Sequence, residues 1–70
     1  MLTITHENLG ECTRASSALR DHLDELAEMT EKYPVECTFA GYRFVFRSRA
    51  DIEKLLAMLD EKLTTFSHAA

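Results

Sequence analysis

VECTFAGYRFVF, residues 35 to 46, alternates side chains at period two on both sides of an Ala-Gly pair, the pattern of a β-hairpin. With Ala40 and Gly41 as a two-residue turn, Phe39 faces Tyr42, Cys37 faces Phe44 and Val35 faces Phe46, and all six side chains share one face. A three-residue loop with a bulge at Gly41 is the alternative, and it would set Tyr42 against Thr38. Ala-Gly is a weaker two-residue turn than Asn-Gly, because the first position of such turns often requires positive φ. Either way one face is aromatic and needs a cover. The other carries Glu36, Thr38, Arg43, Val45 and Arg47, with Arg49 just beyond the second strand.

The cover follows at once in SRADIEKLLAMLDEKLTTF, residues 48 to 66. Ser48 and Asp51 have the spacing of a capping box, and Ile52, Leu55, Leu56, Leu59, Leu63 and Phe66 repeat on one helical face. Residues 67–70, SHAA, read as a frayed tail.

Upstream of the hairpin, Leu9, Cys12, Ser16, Leu19, Leu23, Leu26, Thr30 and Tyr33 are spaced by threes and fours, a heptad seam on one long helix over residues 9–32. Asn8 and Glu11 suggest a capping box at its start, and Pro34 ends it. Such a helix is about 35 Å long, whereas six-residue strands reach only about 20 Å, so part of it overhangs the hairpin. The seam is either an amphipathic face packed on the chain's own sheet or, at Leu19, Leu23 and Leu26, a self-association surface. In residues 1–8, Leu2 and Ile4 alternate with threonines, which fits a short strand or an extended arm.

Seventy residues make one small domain. A chain of that size buries only about 60% of its unfolded surface, which favours a dimer or a bound partner. Hydrophobic content of 46% with 29% charged residues is that of a folded protein. No apolar run reaches the roughly 18 residues of a membrane span, and the opening residues lack a basic and then apolar export signal, so a cytoplasmic protein is expected, in the producing cell or in a host. Cys12 and Cys37 are read as small buried hydrophobes. Neither a metal nor a cofactor is expected, since the cysteines and His6, His22 and His68 lack ligand spacing.

Two charged surfaces are candidate partner sites. The first is the arginine face, with Arg43, Arg47 and Arg49 as planar forks for carboxylates or phosphates and Tyr42 and Val45 as apolar anchors. Diagonal Arg–Glu pairs on a solvated strand face are its plainer explanation. The second is the acidic helix side, Asp21, Asp24, Glu25, Glu28 and Glu31. Five charges over about 15 Å fall short of the phosphate density of duplex DNA, one charge per about 1.7 Å, although two copies come closer to a nucleic-acid mimic. A net charge of −4 argues against nucleic-acid binding by the whole surface. No nucleophile elbow, glycine-rich loop or facing acid–base pair is present, so no catalytic residue is assigned and no enzyme activity is expected. Met29 and Met58 read as gap-filling core or interface residues.

These elements predict an α+β fold, αββα, with a long helix, a hairpin and a second helix, and both helices on the aromatic face. From about Ala15 to Phe66, the hairpin running straight into RADIEKLLAMLDEKL resembles the helix, hairpin and helix order of small phage head-tail joining proteins. The resemblance is one of topology, and no functional residue is carried across. The expected function is a non-enzymatic protein-interaction module, an adaptor, inhibitor or regulator that occludes a charged surface on a protein partner as a homodimer. A joining subunit of a phage-like assembly and an acidic nucleic-acid mimic are the alternatives.

Overall fold

The hairpin forms in the expected register. In the computed structural model, which describes residues 2–69, β1 (Val35–Phe39) pairs antiparallel with β2 (Tyr42–Phe46) as Val35 to Phe46, Cys37 to Phe44 and Phe39 to Tyr42. Ala40 has φ 52° and Gly41 φ 79°, and positive φ at both central residues marks a type I′ turn, whose twist matches that of the strands. Phe39 and Phe46 are buried, Val35, Cys37 and Phe44 are half-buried, and Tyr42 stays exposed near the turn. Phe39 and Phe44 stack with centroids 4.7 Å apart and ring planes 18° from parallel.

The helical span ahead of the hairpin is two helices rather than one. α1 (Leu9–Asp21) and α2 (Leu23–Thr30) meet at His22, which has φ −113° and ψ 17°. The ladder is kept on either side of the bend: His22 N–H donates to the Ala18 carbonyl at 3.0 Å, and Leu26 N–H to the His22 carbonyl at 2.8 Å. Past Thr30 the chain closes with Lys32 and Tyr33 N–H both donating to the Met29 carbonyl, before Pro34 turns it into β1. α3 (Arg49–Ala69) runs 21 residues, about 31 Å, and so continues past the expected stop at residue 66.

Two of the expected caps take another form. Asn8 sits at the N-cap of α1 but its side chain faces backwards: Oδ1 accepts from Thr5 N–H at 2.7 Å and Nδ2 donates to the Thr3 carbonyl at 2.8 Å. It therefore folds residues 2–8 into a tied arm. Those residues form no strand, and the sheet has two strands. At α3, Asp51 Oδ2 accepts from Arg47 N–H at 2.9 Å, one residue earlier than a standard box.

Both helical segments and α3 lie on the aromatic face, with α1 and α2 packed against β1 and α3 against β2. The largest interhelical contact is between α1 and α3. Arg20 meets Asp60 and Asp24 meets Arg49, so rising positions on the first helical span face falling positions on α3, and in the arm before it the ring of His6 meets that of Phe66 edge-on at 4.9 Å. The span and α3 run antiparallel. Cys12 and Leu19 of α1, Ile52, Leu55, Leu56 and Leu59 of α3, Phe39 and Phe46 of the hairpin and Leu2 of the arm form one core.

The α1–α3 pairing answers the overhang. The heptad stripe of the first span faces the stripe of α3, a partner of ample length in the same chain, so its extra reach beyond the strands does not require a second molecule. Leu19 is 4% exposed, and Leu23 and Leu26 pack half-buried against the core. Even Ser16, which dilutes the stripe, is buried and donates from Oγ to Asp60 Oδ1 at 3.4 Å.

Candidate functional site

Among the described residues, two grooves lie where the helices meet the hairpin. The larger, about 580 Å³, lies between the flank of α1 and α2 and the free edge of β1. Its floor and walls are mainly apolar: Ala15, Ala18, Leu26 and Met29 from the helices, Cys37 and Phe39 from the strand. Glu11, Arg14, His22 and Glu25 form a rim of both signs. Met29, at 36% exposed, is among the few large apolar side chains that the core leaves uncovered.

Strand geometry makes this groove more than a dent. The Phe39–Tyr42 pair that closes a two-residue turn exchanges both backbone hydrogen bonds, and the pattern then alternates along the ladder. Cys37 and Val35 therefore bond inward to β2, while the N–H and C=O groups of Thr38 and Glu36 point out of the free edge. Pro34 precedes the strand and Glu36 puts one charge on its outer face, but within Val35–Phe39 there is no proline, lysine or bulge to close that edge. The site thus offers backbone donors and acceptors beside an apolar trough.

A second groove, about 380 Å³, brings parts of the two charged candidate surfaces together. Asp24 and Glu28 of α2, with Glu31 at its C-terminal end, form one wall, and Arg47, Ser48 and Arg49 at the β2–α3 junction the other. Arg49 spans it, with Nη1 3.2 Å from Asp24 Oδ1 and Nε 3.2 Å from Glu53 Oε1. Arg43 Nε lies 3.0 Å from Glu36 Oε1, the diagonal pairing of a solvated strand face. Two of the three arginines are thus engaged within the chain. Arg47 has no ion-pair partner among the described residues. Val45, 42% exposed, and Tyr42 remain open on the hairpin, on opposite faces.

The acidic side is divided by the bend. Asp21 ends α1, Asp24, Glu25 and Glu28 lie on α2 and Glu31 caps its end, so they do not form a single straight row. Asp24 is committed to Arg49, and Glu25 lies 3.4 Å from His22 Nδ1. Asp21, Glu28 and Glu31 are exposed with no cationic partner among the described residues. The charge left for another molecule is therefore mostly negative.

Of the leucines expected to self-associate, only Leu26 reaches the larger groove's surface as well as the core; Leu19 touches the groove from beneath, and Leu23 does not line it. The side chains that do present themselves, Ala15, Ala18 and Met29, lie one step around the helix from the seam. The seam residues masked them in the sequence, since alanines beside a leucine stripe read as filler. Cys12 is fully buried, and burial first, then the Glu11 carboxylate, pushes its thiol pKa up, leaving a protonated and unreactive group. Cys37 is half-buried in the groove wall.

Among the described residues no helix is long and apolar enough to cross a membrane, and no three His, Cys, Asp or Glu side chains are grouped to hold a metal ion. Comparison with family models, with curated proteins and with solved structures gives no match to the chain.

Proposed function

We propose that the chain is a non-enzymatic interaction module that pairs with a second copy of itself and occludes a charged surface on a protein partner, acting as an adaptor, inhibitor or regulator. The observation that carries this reading is the groove of about 580 Å³ at an unpaired strand edge, an apolar trough with open backbone hydrogen-bonding groups. Apolar surface of this kind is removed from water most simply by association.

The charge balance favours a basic partner. Arg43 and Arg49 are held by Glu36, Asp24 and Glu53, whereas Asp21, Glu28 and Glu31 point to solvent. The acidic flank would steer the encounter and the apolar groove would supply the contact area.

Light scattering on the eluting protein tests the reading. The expected mass is twice the 8.0 kDa of one chain, and Met29→Glu, which places a charge in the trough, is expected to weaken pairing at least ~10-fold, about 1.4 kcal/mol. A single-chain mass at millimolar concentration would remove the basis for self-pairing.

A further inference from the structure

We infer that the second copy docks strand to strand: β1 pairs antiparallel with β1 of its partner about a two-fold axis through Cys37, joining two hairpins into one four-stranded sheet. This rests on the homodimeric reading above and goes beyond it by naming the surface, the register and the residue on the axis.

The register follows from which groups are free. Thr38 and Glu36 carry the outward N–H and C=O groups, so an antiparallel partner must set one of these against another. Centring on Cys37, the middle residue of Val35–Phe39, opposes Glu36 to Thr38 of the second chain and Thr38 to Glu36, two fully bonded pairs with every strand residue matched. Sliding the axis to Glu36 would set that carboxylate against its own copy, a repulsive cross-strand pair. Sliding it to Thr38 would pair Glu36 with Ala40, whose φ of 52° lies outside the strand. One register keeps all the bonds and avoids like charges.

The groove supports a second copy as the occupant. A two-fold axis perpendicular to the joined sheet puts both helical layers on the same face, so each trough receives the flank of the other α1 and α2. Ala15 and Ala18 are small enough for close helix approach, and Met29 is unbranched and adapts to the gap. The rim is charge-complementary to itself: Arg14 has no ion-pair partner among the described residues, and the incoming rim brings Glu11 and Glu25.

Cys37 makes the geometry measurable. Its backbone bonds inward to β2, so across the axis it forms the non-hydrogen-bonded kind of pair, with Cα atoms about 4.5 Å apart. That separation lies at the short end of the range a disulfide spans, about 4.4–6.8 Å, and Cys12 is fully buried.

The experiment combines light scattering with oxidation of the intact chain by diamide, a two-electron thiol oxidant, read on a non-reducing gel. The expected result is a dimer that cross-links in the wild type and in Cys12→Ser, with no cross-linked band in Cys37→Ser. Thr38→Pro removes an outward N–H without touching the β1–β2 ladder, and it is expected to give a monomer by light scattering that keeps its helical circular dichroism. A dimer that does not cross-link through Cys37, or that persists in folded Thr38→Pro, overturns the strand pairing and leaves self-pairing intact. A monomer at every concentration overturns both. Should Thr38→Pro fail to fold, the Cys37 cross-link decides alone.

Discussion

Ala40 is the residue whose conformation costs most for what its side chain provides. A non-glycine residue at φ 52° lies in the left-handed region, which its Cβ disfavours by roughly 1–2 kcal/mol. Ala40→Gly relieves that cost and gives back part of it as unfolded-chain entropy, so a net gain of about 0.5–1 kcal/mol is expected. Gly41→Ala should lose about 1 kcal/mol for the converse reason, since its φ is 79° and nothing lies within 4 Å of an added Cβ to offset the strain. Urea midpoints at unchanged slope check both, and a lower midpoint for Ala40→Gly would show that the turn is not strained. Cys12 adds a pH-dependent contribution. Its folded pKa is raised by burial and by Glu11, so the native state holds the proton longer than the unfolded chain does. The associated stability is complete below the unfolded thiol's pKa, about 8.5, and is lost as pH climbs through the folded value. Unfolding free energy measured from about pH 7 to 10 should fall more steeply for wild type than for Cys12→Ala.

Between elements, apolar contact outweighs the polar ties. Ile52 is fully buried where α3 crosses the hairpin and α1, and Ile52→Ala should cost about 2–5 kcal/mol, enough to unfold much of a domain this small. Asp60 joins α3 to Ser16 and Arg20 of α1, yet the Arg20 and Asp60 side chains are about half exposed, so Asp60→Ala should cost under about 1 kcal/mol. Chemical denaturation of the two variants side by side checks the order, and a larger loss for Asp60→Ala would reverse it. The stripe that puts Ile52 in the core is plain in the sequence, as is the hairpin register, because a period of 3.6 or of two leaves one way to bury all its members. The bend at His22 is not. Asp21, His22 and Leu23 include no glycine or proline, the ladder continues on both sides, and the bend follows the packing of two segments against α3 and β1 rather than any local signal. The apolar groove is hidden for a related reason: Ala15, Ala18 and Met29 become a surface only once α3, and not a second copy, has taken the leucine seam.

At the scale of the molecule, shape and size act together. The Cα radius of gyration is 12.2 Å, above the roughly 11 Å of a compact chain of this length, and the long dimension of 41 Å is about twice the other two, 19 and 17 Å. An elongated chain of 70 residues keeps a large surface for its core, so its free energy of unfolding falls at the low end of the usual 5–15 kcal/mol. Pairing through the β1 edge would stabilise it by mass action, because the folded chain self-associates and the unfolded chain does not. The midpoint of thermal unfolding should therefore rise with protein concentration, by several degrees over a hundredfold range, given that about 1 kcal/mol moves such a domain by 4–8 °C. Met29→Glu should move that rise to at least about tenfold higher concentration while leaving the dilute-limit midpoint nearly unchanged, since Met29 lies in the trough and outside the core cluster. Scanning calorimetry at several concentrations of each protein separates the two contributions: a wild-type midpoint that does not move would mean that the groove remains open to water in the native protein.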